Sequence, residues 1–318
     1  MQKTAGYLWT EKYRPKTIDE CILPKSIKKI FTEIVSSGTI PNLMLSGSPG
    51  CGKTSVAKAL CEEMGCDWML INCSEDGNID TLRTKIRNFA SSISLSGGVK
   101  VVILDEFDHS NPQSMQPALR GFMEEFANNC RFILTCNYKN RIIQPLHSRC
   151  TEIEFRFAGK GEMCELATGF YERLCTVILP EEGIECKKII LQKMLPDYIP
   201  DFRRMLNELQ KYSIANNGFI DEGILLRKAN IEAEPLVSAM KSKNFTEVRK
   251  WVFTNLNNDQ AHIFKSIYNI LTKNLSPNSV PQAVVIIAEY QYKSAFVADQ
   301  EINLTACIVQ LMMECEFA

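Results

Sequence analysis

Apolar runs too short for helices alternate with helix-length amphipathic stretches through the first half of the chain. Leu43-Met44-Leu45, Val101-Val102-Ile103-Leu104, Arg131-Phe132-Ile133-Leu134-Thr135-Cys136 and Glu152 to Phe157 are the runs. Four apolar residues in a row, as from Val101 to Leu104, suit a parallel strand buried on both faces. Between the runs, spacings of three and four recur, as in Ile79, Leu82, Ile86 and Phe89, and these predict helices. The alternation predicts an α/β domain with a five-stranded parallel sheet and helices on both faces.

The strand signal ends at the hinge Gly159-Lys160-Gly161. Beyond it Met163, Leu166, Phe170 and Leu174 recur at helix spacing, as do Phe202, Met205, Leu206 and Leu209 after Asp201, a good N-cap. From about Ile231 further helices are expected, including Glu234 to Lys241, Gln260 to Leu271 and Thr305 to Cys315. The last carries Ile308, Leu311 and Met312 on one face, which suits either a core or a partner subunit. The expected division is a sheet domain over 1–158, a small helical lid over 159–229 and an all-α domain over 230–318.

Chemistry enters after the first apolar run. Gly47-Ser48-Pro49-Gly50-Cys51-Gly52-Lys53-Thr54 matches G-x-x-x-x-G-K-[ST] between a strand and a helix-like stretch beginning at Ser55. In that setting backbone N–H groups wrap phosphates, Lys53 reaches the β/γ oxygens of a nucleoside triphosphate and the Thr54 hydroxyl ligates Mg²⁺. Asp105-Glu106 ends the second run, at the carboxyl edge where such sheets place ligands. Asp105 is expected to hold Mg²⁺, directly or through water, and Glu106 to polarise the attacking water as general base. Together the pair favours ATP hydrolysis over simple nucleotide storage.

A chain of 318 residues suggests two or three domains, and 45% hydrophobic with 23% charged residues is ordinary for a globular protein. Thirteen cysteines without a C-x-x-C pair point to free thiols in a reducing cytosol, with Cys61, Cys66 and Cys73 read as packing residues rather than a metal cluster. Met1 to Gly6 has no signal-peptide core, and no stretch approaches a membrane span. The net charge of −1 means that any nucleic-acid contact is local. From Thr81 to Leu104 there is no acidic residue, and Arg83 and Arg87 lie one helical turn apart. Phosphate binding and a solvated helix face fit that pair equally well.

Several motifs occur in a fixed order: Trp9-Thr10-Glu11-Lys12-Tyr13-Arg14-Pro15, the phosphate loop, Asp105-Glu106-Phe107-Asp108, Gln116-x-x-Leu119-Arg120-x-x-Met123-Glu124, Asn137, Ser148-Arg149-Cys150 and Pro200-Asp201-Phe202-Arg203. In that order and spacing the chain resembles the AAA+ sliding-clamp loaders, the replication factor C small-subunit family, and within it most nearly the large subunits of the T4-type bacteriophage loaders. The likeness spans essentially the whole chain, though the C-terminal part matches in length and character more than in motifs.

The resemblance implies an AAA+ fold with a helical lid and a C-terminal oligomerisation collar. It implies a DNA-stimulated ATP hydrolase that uses ATP and Mg²⁺, opens a ring-shaped sliding clamp with ATP bound and releases it on primer–template DNA after hydrolysis. Implied partners are copies of this chain, a distinct small clamp-loader subunit, the clamp, and DNA held by its backbone without base readout. No membrane is involved, and the compartment is the cytoplasm of an infected bacterial host. By position, Thr10, Glu11, Lys12, Tyr13 and Ile22 line the adenine and ribose side, while Gly50, Cys51, Gly52, Lys53, Thr54 and Ser55 grip phosphate. Asn137 is the sensor that orients water, and Arg203 is a second sensor reaching from the lid. Arg149 resembles an arginine finger serving a neighbour's ATP.

Gln116, Arg120 and Glu124, at i, i+4 and i+8, are expected on one flank of a helix, with Met115, Leu119, Phe122 and Phe126 on the other. Arg120 would bridge Glu124 and the Asp105-Glu106 neighbourhood and so couple DNA to hydrolysis. Read without the resemblance, Arg120 and Glu124 are an exposed ion pair. One departure stands out: related phage sequences carry a basic residue in the loop before the Arg83 helix, whereas here it reads Ser74-Glu75-Asp76-Gly77-Asn78. Two other functions share the nucleotide motifs. Another AAA+ DNA motor or helicase loader would lack the Gln116 helix pattern and the collar, and a non-hydrolysing loader subunit would lack Glu106 or an intact phosphate loop.

Overall fold

A computed structural model describes residues 8–74, 79–92, 98–157, 159–228, 233–256 and 260–317, so the Glu75 to Asn78 part of the departing loop lies outside the described residues. The chain divides into two compact units, Met1–Asp221 and Glu222–Ala318.

The first unit is built on strands β1 (Leu43–Gly47), β2 (Trp68–Asn72), β3 (Lys100–Asp105), β4 (Cys130–Cys136) and β5 (Thr151–Phe155). Their order is β2-β3-β4-β1-β5, and every neighbouring pair is parallel. Side chains leave a strand alternately to either face, and here both faces are covered. Met44, Val102, Leu104, Phe132 and Leu134 pack against Leu119, Phe122 and Met123 of the helix Met115–Glu125. Leu43, Leu45, Val101, Ile103 and Ile133 face the other way, onto Phe31 of Lys25–Ser37 and Ala57 and Leu60 of Lys53–Glu63. Burying a side chain of this kind is worth about 1.5–3 kcal/mol, so the central strands are fixed by what lies on both sides.

That fixity places the site. Leu45 lies opposite Thr135 and Leu104 opposite Leu134, so the carboxyl ends of β1, β3 and β4 are level and their following loops adjoin. β2 is the strand that the apolar runs do not name. It lies at the sheet edge, and Leu70 is 37% exposed.

The segment expected as a lid is mainly helical, with one short parallel pair of strands, Glu185–Cys186 and Phe219–Ile220. Lys160–Arg173 continues through a π-helical turn, Leu174–Ile178, into Leu179–Glu182, and buries Leu166, Phe170 and Leu174. Phe202–Ala215 is capped as expected, with the Asp201 side chain accepting from the Arg204 N–H at 3.0 Å. The Phe170 and Phe202 rings, 4.8 Å apart, join the two helices.

The second unit contains helices Gly223–Lys228, Ala233–Lys241, Phe245–Asn255, Gln260–Asn274, Val280–Lys293 and Gln300–Glu314. Its core settles the alternative left by the last helix. Ile308, Leu311 and Met312 pack with Leu236, Val248 and Phe264 inside this unit. Among the described residues no helix is long and apolar enough to cross a membrane, and none of their His, Cys, Asp and Glu side chains cluster to hold a metal as groups of three or more.

Candidate nucleotide site

The level strand ends open onto a cavity of about 1170 Å³, counting its mouth. Gly50, Cys51, Gly52, Lys53, Thr54 and Ser55 line it from the phosphate loop, Asp105 and Glu106 from the end of β3, and Asn137 from the end of β4. Thr10, Glu11, Tyr13 and Ile22 contribute from the N-terminal segment, and Arg203 from the lid.

The loop's tight approach depends on glycine. Gly50 has φ +76°, and a Cβ there would lie 2.0 Å from the Asp201 carboxylate, so the loop packs directly against the cap of the Arg203 helix. Lys53 is 8% exposed, and its Nζ donates to Gly47 O at 2.8 Å, Ser48 O at 2.9 Å and Asn137 Oδ1 at 2.9 Å. The phosphate-loop lysine and the expected sensor are thus directly bonded. Thr54 Oγ1 donates to Asp105 Oδ1 at 2.6 Å, which brings together two hard oxygen donors of the kind Mg²⁺ prefers. Burial pushes the Cys51 thiol up and the Cys136 thiol up to about 12, so both lining cysteines stay neutral.

Thr135 is a site residue that the motifs do not name. Buried in β4, its hydroxyl donates to Asp105 Oδ1 and accepts from the Glu106 N–H at 3.1 Å. One hydroxyl therefore aligns both acids. Glu106 adopts φ 53°, ψ 42°, a left-handed conformation that costs a non-glycine residue about 1–3 kcal/mol and persists where the surroundings impose it. Arg173 is another. It lines the cavity from the lid and donates to Glu20 O at 2.9 Å and Tyr13 O at 3.2 Å, tying the N-terminal segment in place.

Lys12 requires a correction, because it does not line the cavity. Its ammonium reaches Glu182 at 2.6 Å, and the Tyr13 hydroxyl donates to the same oxygen at 2.7 Å. Burial, then the bond to Glu182, raises the Tyr13 hydroxyl to about 12. Both side chains converge on Glu182, with Tyr13 in the pocket lining and Lys12 over the Tyr13 ring at 5.0 Å, outside that lining.

The Gln116 helix also differs from expectation. Eight residues turn about 80° beyond two full turns, so Gln116 and Glu124 do not share a flank. Gln116 is fully buried and bonds Ser110 O, Arg141 O and the Ile143 N–H, whereas Arg120 and Glu124 are exposed and 3.8 Å apart. Gln116, rather than Arg120, joins this helix to the segment after Asp105-Glu106. Glu124 instead holds Arg149, accepting from its Nε at 3.1 Å and from Nη2, while Arg149 Nη1 donates to Pro145 O at 2.9 Å. The Arg149 hydrogen bond keeps the Glu124 carboxyl below its usual range.

Arg149 lies outside the cavity, just ahead of β5. Thr151 is level with Leu43 and Phe155 with Gly47, so about 13 Å of strand separates its end of the sheet from the phosphate loop. Arg83 and Arg87 line a shallow groove between the helices Ile79–Ser91 and Met115–Glu125. Arg87 is 61% exposed, sits 3.5 Å from Glu125 and stacks over the Phe122 ring at 5.7 Å.

A parallel sheet carrying a phosphate loop, an acidic pair and a polar strand-end residue around one cavity defines an AAA-type ATP hydrolase. Residues 43–157 match the ATPase family associated with various cellular activities (AAA). The chain is 35% identical to the sliding-clamp-loader large subunit of Enterobacteria phage T4, over 98% of this chain and 97% of that one. It is 31% identical to the replication factor C small subunit of Thermofilum pendens, over 96% of each. The fold also resembles the Thermotoga maritima RuvB Holliday junction branch migration motor, with TM-score 0.51 and 19% identity over 72% of this chain and 79% of that structure, a likeness of fold alone. The chain belongs to the clamp-loader branch of the AAA+ ATPases, the family of the phage sliding-clamp-loader large subunits and the replication factor C small subunits.

Proposed function

We propose that this chain is the motor subunit of a DNA-polymerase clamp loader in the cytoplasm of an infected bacterium. It assembles with copies of itself and a distinct small subunit, opens a ring-shaped clamp with ATP bound, and releases the closed ring on primer–template DNA after hydrolysis. Lys53 and the loop N–H groups grip the triphosphate, and Arg203 reaches the γ-phosphate from the lid. Thr54 and Asp105, whose oxygens meet in this cavity, would hold Mg²⁺, and the ion would supply positive charge against the triphosphate.

Glu106 takes the proton of a water that Asn137 orients, and the neighbour's Arg149 stabilises the departing phosphate oxygens. Arg83 and Arg87 hold the DNA backbone, and Gln116, which joins its helix to the segment after the acidic pair, relays its presence to the site, while Arg120 and Glu124 pair on the exposed side of that helix. The observation that carries this reading is one cavity lined by Lys53, Thr54, Asp105, Glu106, Asn137 and Arg203 in a chain aligned end to end with a sliding-clamp-loader subunit.

The test is ATPase activity of the assembled complex with clamp alone, primed DNA alone, and both. Turnover should rise steeply only with both. Activity indifferent to the clamp but stimulated by branched DNA would instead indicate another AAA+ motor.

A further inference from the structure

We infer that Asp108 is a positioning residue for hydrolysis, whose buried carboxylate fixes the backbone that carries Asn137. The inference rests on the reading of Asn137 as the group that orients the attacking water. Asp108 lies in the 3₁₀ turn Phe107–His109 that follows Glu106 directly, and it is 5% exposed. Its Oδ2 accepts two consecutive backbone N–H groups, from Asn137 at 3.2 Å and Tyr138 at 3.1 Å. Its Oδ1 is buried without a hydrogen-bond partner.

This arrangement is costly as packing. A buried carboxylate that keeps one oxygen unpaired is stabilised only by what its other oxygen holds. What that oxygen holds is the start of the turn after β4. The Tyr138 side chain is 56% exposed and leaves the turn weakly anchored by packing. Asn137 Oδ1 accepts from Lys53 Nζ, so the turn held by Asp108 is also the turn bonded to the phosphate loop. Asp108, two residues beyond the base, thereby ties the turn carrying Glu106 to the turn carrying Asn137, beyond the point where Thr135 links β4 to the Glu106 N–H. Carboxylate-to-N–H bonds are roughly twice as strong as neutral ones, which suits a residue whose task is to keep a neighbouring backbone still.

Lys53 is also held within the phosphate loop, by Gly47 O at 2.8 Å and Ser48 O at 2.9 Å, so nucleotide binding depends less on this link than turnover does. Loss of Asp108 should therefore act on turnover. A displacement of about 1 Å in a catalytic arrangement costs on the order of 100-fold, so Asp108→Ala should lower kcat by about 10- to 100-fold. KM and the affinity for a fluorescent ATP analogue should stay near the parent values. Asp108→Asn keeps an oxygen that accepts both N–H groups and should restore most of the rate.

The experiment compares these variants with Asn137→Ala and the Asp108→Ala/Asn137→Ala double variant, in the assembled complex with clamp and primed DNA. If Asp108 acts through Asn137, adding Asp108→Ala to Asn137→Ala costs little more. Parent-like turnover of Asp108→Ala, matched loss of nucleotide affinity, or fully additive losses would each overturn the inference. Parent-like turnover of Asn137→Ala would instead remove the sensor reading itself. Should Asp108→Ala not fold, hydrogen exchange at the Asn137 and Tyr138 amides decides. It should quicken in Asp108→Asn, where the acceptor is weaker, and unchanged exchange at both would refute the link.

Discussion

Thr135→Val removes one buried hydroxyl and almost nothing else, because valine keeps the β-branched shape that suits a strand. The hydroxyl has two partners. It accepts from the Glu106 N–H at 3.1 Å and donates to Asp105 Oδ1, and Thr135 is 1% exposed, so water cannot readily replace it. A hydrogen bond to a charged acceptor is worth about 1.5–3 kcal/mol, and a buried N–H left unpaired costs about 1–3 kcal/mol. The two losses do not add in full, because Asp105 retains the Thr54 hydroxyl at 2.6 Å and adjacent groups relax together. A net misalignment of about 1.4–2.8 kcal/mol corresponds to a 10- to 100-fold loss. The assay is steady-state ATPase of the assembled complex with clamp and primed DNA, titrated with both ATP and Mg²⁺. Thr135→Val should lose turnover by that factor and need more Mg²⁺ for half-maximal rate, whereas Thr135→Ser should stay close to the parent. A valine variant with parental turnover and Mg²⁺ dependence would refute the argument, as would a serine variant equally impaired.

The other predictions concern chemistry, DNA and assembly. Glu106→Gln should retain ATP binding and clamp opening while hydrolysis, followed by phosphate release, slows by roughly two to four powers of ten, the range for a lost general base; parental turnover would show that Glu106 is not the base. Replacing Arg83 and Arg87 with alanine should weaken primer–template binding uniformly across sequences and reduce the log–log salt slope by about one unit per lost phosphate contact. Glu125→Gln should strengthen binding by freeing Arg87 from the carboxylate 3.5 Å away, and an unchanged salt slope in the double variant would move the DNA surface elsewhere. Arg149→Ala and Lys53→Ala proteins should each be inactive, while mixing them should recover part of the ATPase, since some interfaces then pair an intact Lys53 site with an intact Arg149. Co-assembly without any recovery would assign Arg149 a role within its own subunit.

What was readable beforehand was whatever depends on short stretches of chain. The phosphate loop, the acidic pair and the central strands follow from local pattern, because the middle residues of β1, β3 and β4 are buried on both faces and are apolar. β2 escaped because an edge strand with Leu70 37% exposed need not be apolar throughout. The helices Phe245–Asn255 and Val280–Lys293 were likewise unnamed, and the outward residues Phe253 and Val285 blur their faces, at 70% and 62% exposed.

Contacts between distant segments were illegible for a different reason. Nothing near Thr135 reveals that it serves Asp105, thirty residues earlier in the chain, or that Arg173 braces Tyr13. One signal was available: a threonine inside an otherwise apolar buried strand must find a partner, and the end of β4 beside Asp105 offers one. Lys12 shows the converse, a residue placed in the pocket by its motif that the backbone turns towards Glu182 instead.

The most direct test of the central claim is whether the complex assembled from this chain holds a ring-shaped sliding clamp in a nucleotide-dependent way. Gel filtration should show the clamp co-eluting with the complex when ATP is bound, with Glu106→Gln used to prevent turnover, and eluting separately in ADP. A clamp that elutes alone in both nucleotides, from a complex shown to bind ATP, would contradict the account.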